Sequence, residues 1–89
     1  MAYQSKDLSV IAYANGFTMW HYTTPDLAAD VDSSGYFNEA AHMLRVGDLI
    51  VANVDTDGTL TTGLFAVTGN TNMVVDVADM SSLSATNTD

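Results

Sequence analysis

His21 and His42 are the only histidines in a chain with 11 acidic residues and no cysteine, so any metal or acid–base chemistry would have to be built around them. A zinc site takes three or four ligands. Glu39 and His42 stand at i, i+3, a spacing that places two side chains on one helix face. Any exposed polar helix face has that spacing too, and two isolated histidines fall short of the ligand count. Asp55-Thr56-Asp57-Gly58 opens like a calcium loop. An EF-hand, however, has a third oxygen position before its glycine and a bidentate Glu downstream. Here the glycine comes early and positions 59–68 hold no Glu, so an Asp-Gly hairpin turn explains the four residues better. Nucleophilic catalysis needs a hydroxyl beside a histidine that an acid orients, and spacing singles out no Ser or Thr for that part. Val46-Gly47-Asp48 has one glycine and no following lysine, which is no phosphate loop. Thiolate chemistry and iron–sulfur clusters are excluded by composition. The chain reads as non-catalytic, with no cofactor and no metal.

What the sequence does concentrate is large sticky side chains. Phe17-Thr18-Met19-Trp20-His21-Tyr22, as a strand, sets Phe17, Met19 and His21 on one face and Thr18, Trp20 and Tyr22 on the other. A domain of 89 residues has one modest core and covers one such face easily. The second face calls for another occupant. Trp20 and Tyr22 admit three uses: core, subunit interface, or a platform on which a sugar or other ligand stacks.

The elements that position these residues are short. Residues 7–14 read as a strand, Asn15-Gly16 as a type I′ turn, and 17–22 as the returning strand of a hairpin. Thr24-Pro25-Asp26 is a helix-start signal, followed by Leu27 and Val31 at i, i+4. Asn38 is placed to cap a second short helix over 39–44, with Ala40, Met43 and Leu44 on one face. Arg45-Val46-Gly47-Asp48 turns the chain into its strongest strand, 49–54. There Ile50, Ala52 and Val54 lie on one side and Leu49 and Val51 on the other, a pattern usual for a strand that is central or covered on both faces. A strand over 59–68 returns, with Gly63 as a bulge candidate, and a last strand covers 73–77. The predicted fold class is mainly β with a short helical insertion, a small antiparallel β-barrel or roll. Residues 1–80 form one small domain and 81–89 a polar tail expected to fray.

Only Lys6 and Arg45 oppose the acidic residues, for a formal charge of −9. Nucleic acids and anionic membranes are bound through several Lys/Arg contacts, which two cations cannot provide. Hydrophobic residues make up 47% and charged residues 15%, so the chain folds rather than staying disordered. No basic start followed by an apolar stretch marks a signal peptide, and no run approaches the roughly 20 apolar residues of a membrane span. Synthesis in the cytoplasm and a soluble product are expected.

The stretches Gly16-Phe17-Thr18-Met19-Trp20-His21-Tyr22, Gly35-Tyr36-Phe37-Asn38, Met43-Leu44-Arg45-Val46-Gly47-Asp48-Leu49-Ile50 and Val74-Val75-Asp76-Val77-Ala78-Asp79 resemble a group of small virion structural proteins of tailed bacteriophages and prophages. The resemblance spans about residues 7 to 80. It implies a capsid decoration or cement protein: mostly β, cysteine-poor, self-associating with a trimer favoured, and bridging copies of the major capsid protein. A chain of charge −9 is repelled by packaged DNA, which favours the outer capsid surface. Trp20, Tyr22, Tyr36 and Phe37 are the candidate interface anchors. The alternative function is a host-attachment or glycan-binding module of a virion, motivated by Trp20 with Tyr22 and His21 beside it.

Overall fold

The computed structural model describes residues 3–14 and 16–83. The Asn15 half of the predicted turn and most of the polar tail lie outside them. A 3-10 turn at Ser5–Asp7 leads into β1 (Leu8–Ala14), which pairs antiparallel with β2 (Phe17–Thr23). After a crossover come β3 (Leu49–Val54), β4 (Thr61–Thr71), β5 (Val74–Val77) and the two-residue β6 (Ser81–Ser82). The sheet order is β1-β2-β3-β4-β5, with β6 also on β4.

The pairing of β2 with β3 is parallel, from Met19 opposite Leu49 to Thr23 opposite Asn53; every other pair is antiparallel. A parallel neighbour cannot be reached by a tight turn, so the chain must cross from one end of the sheet to the other. Segment 24–48 makes that crossover, and it carries α1 (Ala28–Val31) and a 3-10 turn at Asn38–Ala40. Its Val31, Phe37, Ala40, Ala41 and Leu44 join Tyr22, Ile50, Ala52, Val54, Phe65 and Val67 in the buried core. Burying a side chain such as Phe65 or Ile50 stabilises the fold by about 1.5–3 kcal/mol each.

The expected antiparallel barrel is corrected in two ways: the sheet is mixed, and it does not close. Closure would bring β1 to β5. The outer side of β5 is already occupied, because the Val75 carbonyl accepts from the Gly35 N–H at 2.8 Å and the Val75 N–H donates to Asn38 Oδ1 at 2.9 Å. Asn38 thus bonds a strand edge and makes no side-chain bond as a helix cap. The predicted second helix shrinks to the 3-10 turn. The first starts late, at Ala28, because Thr24 Oγ1 accepts from the Asp26 N–H at 3.0 Å and holds a local turn in place of a helix start.

β4 runs on to Thr71, and its hairpin to β5 turns at Asn72 and Met73, with φ 54° and 66°. Two left-handed residues in a two-residue loop are the signature of a type I′ turn. Gly63 is not a bulge. It pairs regularly with Ala52, and a Cβ there would meet Met80 Cγ at 2.5 Å and the Ser81 carbonyl at 2.6 Å, so glycine permits close approach of the last segment. The register shift falls between Val67 and Gly69.

Candidate interface

Asp48 organises the inner half of the hairpin. It is fully buried at the mouth of β3. Its Oδ1 accepts from the Thr18 N–H at 3.2 Å, and its Oδ2 accepts from Trp20 Nε1 at 3.2 Å and the Arg45 N–H at 3.1 Å. Three donors offset the cost of taking a carboxylate out of water. Trp20 is half-buried, packed against the core with its one polar atom engaged.

A second polar chain runs under the crossover. The Tyr36 hydroxyl donates to Asp26 Oδ2 at 2.6 Å and lies 2.9 Å from the Tyr22 hydroxyl, which accepts from the Gln4 N–H at 3.1 Å. Burial, followed by the bonds to Asp26 and Tyr22, holds the Tyr36 hydroxyl protonated well above the usual tyrosine range. Tyr3 stacks on Tyr22 with ring centroids 5.6 Å apart, and Phe37 meets Tyr3, Tyr22 and Tyr36 edge-on. Burial, then the nearby Tyr22 and Glu39, raises Tyr3 as well.

These contacts relocate the four sequence-derived anchors. Tyr22 and Phe37 are core residues, 0% and 1% exposed, and neither reaches the surface. Trp20 and Tyr36 are half-buried beside them. The structure does bring the four together, but as the inner aromatic cluster of one chain, because the crossover folds Tyr36 and Phe37 back over β2. A stacking platform of Trp20 and Tyr22 is therefore not presented to solvent.

The other face of the same strands is different. Three rungs cross β2, β3 and β4: Met19–Leu49–Ala66, His21–Val51–Leu64 and Thr23–Asn53–Thr62. All nine residues are of intermediate exposure, and none belongs to the core. Tyr3, the crossover and Met80 all pack on the core side, and among the described residues none forms a second layer on this face. β3 is central, as its sequence predicts, and among the described residues it is covered on one face. None of the nine residues is an acid, a lysine or an arginine in a chain of charge −9. The third rung is polar: Thr62 Oγ1 donates to Asn53 Oδ1 at 2.6 Å, and Asn53 Nδ2 lies 3.5 Å from His21 Nε2.

Catalytic geometry does not emerge around the histidines. His21 has only the long Asn53 contact among the described residues, and His42 is exposed on the turn after Ala40. The Asp55 carboxylate accepts from the Thr59 N–H at 3.2 Å, inside the predicted Asp-Gly turn. Among the described residues no three His, Asp or Glu side chains gather as metal ligands. Sequence reasoning missed Asp48, which reads as a turn residue, and Asp26, which reads as a helix-start residue; the alternation of 17–22 shows two sticky faces, but the anchors were sought on the Trp20 and Tyr22 face, whereas the open face is that of Met19 and His21. No family model, curated protein or solved structure matches the chain.

Proposed function

We propose that this chain is a non-catalytic structural protein of a tailed-phage virion, a decoration or cement protein that docks on the major capsid protein at the outer capsid surface. The observation that carries the reading is the open sheet face, a patch with apolar residues at its centre and no acid, lysine or arginine, on an otherwise acidic chain. Apolar faces of this kind mark contact surfaces. The sequence resemblance supplies the virion, and the charge of −9 supplies the outer position, away from packaged DNA. Three strands by three rungs span roughly 15 Å each way. That is less than the roughly 800 Å² per partner of a standard stable interface, so tight attachment requires contacts beyond this patch or many sites engaged together.

Co-sedimentation with undecorated capsids of the phage or prophage that encodes the chain tests the reading. The chain is expected to pellet with the capsids, and Val51→Asp, which puts a carboxylate at the centre of the patch, is expected to stay in the supernatant while remaining folded. A chain that never pellets with those capsids, or whose density lies on the inner wall, overturns it.

A further inference from the structure

We propose that β1 is the element by which two copies of this chain join, edge to edge and antiparallel. Among the described residues the sheet has two edges, and only one is open. β5 is sealed by Gly35 and Asn38, and β6 is two residues long. Across Ser9–Ala14, by contrast, no hydrogen bond other than those of the pairing with β2 reaches the β1 backbone among the described residues. Six of its seven residues are exposed, with Val10, Ile11 and Tyr13 at 58%, 52% and 68%. Proteins usually protect such an edge with lysine, proline or a bulge. The strand Leu8–Ala14 has neither charge nor proline, and its one irregularity is at Ile11, between Val10 and Ala12.

A second copy fits this edge better than an arbitrary strand because β1 is complementary to itself. Val10 stands opposite Trp20 and Tyr13 opposite Thr18, so both lie on the core side of the sheet; Ser9 opposite His21 and Ala14 opposite Phe17 lie on the open side. The shift at Ile11 is what gives residues 10 and 13 the same side. A two-fold axis between Ile11 and Ala12 then sets Val10 against Tyr13 of the second copy, and Ser9 against its Ala14. Both pairs keep to one face of the joined sheet. Each exposed tyrosine covers a β-branched neighbour, a favourable cross-strand pair, and does so twice by symmetry. Charge permits the approach: no ionisable group other than Tyr13 lies in the strand, and antiparallel pairing keeps the Lys6–Asp7 ion pairs of the two copies at opposite ends. A closed ring of three through strand pairing would need a second free edge, which the 35–38 turn occupies, so strand pairing at this edge gives a two-fold pair. The joint stands independently of the capsid reading, which uses the face of the sheet and not its edge.

Light scattering behind a sizing column, across a dilution series of the full chain, should give twice the 9.5 kDa chain mass at the concentrated end. Val10→Lys and Tyr13→Lys, both at exposed positions, should return the single-chain mass with unchanged circular dichroism. Because the chain has no cysteine, a Val10→Cys/Tyr13→Cys variant should form a disulfide-linked pair on mild oxidation, and Val10→Cys alone should not. A wild-type chain that is monomeric throughout, a Val10→Lys chain that keeps the pair mass, or a Val10→Cys single variant that links as readily as the double overturns the proposal.

Discussion

The indole N–H of Trp20 donates to Oδ2 of Asp48 at 3.2 Å, joining two residues 28 positions apart across the parallel β2–β3 pair. The bond ties the aromatic hairpin to the turn that launches β3. Both carboxylate oxygens of Asp48 accept, so its site is built for an acceptor-only group. Alanine there would leave three donors unpaired in the interior. Asparagine would turn an N–H₂ either toward the Thr18 N–H or toward the Trp20 and Arg45 donors. Asp48→Ala and Asp48→Asn are both expected to cost about 3 kcal/mol, with asparagine no substantial rescue. Urea unfolding followed by the fluorescence of Trp20, the chain's only tryptophan, reads this directly. An asparagine variant as stable as wild type would show that one of the two carboxylate oxygens is not needed as an acceptor.

The Tyr36 hydroxyl predicts an alkaline limit to stability. Its folded pKa is raised above the ordinary 10.0 by burial and by its bonds to Asp26 and Tyr22. The unfolded chain therefore releases this proton first as pH rises. The contribution is fully present below pH 10 and is lost as pH climbs from the unfolded value toward the folded one. Thermal melts should begin to fall near pH 10. Tyr36→Phe should flatten that fall and cost about 1–2 kcal/mol at neutral pH, where it removes the hydroxyl that donates to Asp26 Oδ2.

Met73 sits at φ 66° in the β4–β5 turn, a conformation that a side chain with a Cβ adopts at a cost of about 1–2 kcal/mol. Its side chain is exposed at 59% and contributes no burial to the core. Met73→Gly converts the loop to Asn-Gly, the preferred type I′ pair, and should stabilise the protein by about 1 kcal/mol. An increase in melting temperature checks it; a decrease would mean that Met73 packs on something in solution.

Strand positions were largely legible in the sequence, and their assembly was not. β3 falls on 49–54 as its apolar run predicts, and β1 and β2 match within a residue. Local pattern fixes a strand's period and ends. Which strands become neighbours is decided by non-local burial, and the parallel β2–β3 pairing across segment 24–48 leaves no local mark. The polar partners were illegible for the same reason: Asp26 looks like a helix-start residue and Asp48 like a turn residue until Tyr36 and Trp20 arrive from elsewhere. The two-faced character of 17–22 could be read because it needs only alternation. Which face stays open depends on where the crossover lands.

Gly63 tests how closely the last segment approaches β4. The backbone carbonyl of Ser81 stands 2.6 Å from where a Cβ would lie, and backbone in a paired strand cannot swing aside as Met80 could. Gly63→Ala should therefore cost about 2 kcal/mol or more. Adding Met80→Ala should not restore the loss. Chemical unfolding of the single and double variants separates the two obstacles, and full rescue by Met80→Ala would place the strain in the side chain alone.

Ile50 and Val51 are chain neighbours on opposite faces of β3, and they measure how one-sided the core is. Ile50 is fully buried against the crossover, whereas Val51 lies in the middle rung of the open face. Ile50→Ala should cost about 3 kcal/mol, in the range for truncating a buried aliphatic side chain. Val51→Ala removes two methyl groups from a half-exposed position and should cost about 1 kcal/mol or less in the isolated chain. The contrast should be independent of protein concentration, since the proposed β1 joint does not cover this face. If Val51→Ala instead approached the Ile50 cost, and did so only at high concentration, the open face would be the surface on which copies of the chain meet, and the edge of β1 would not be their contact.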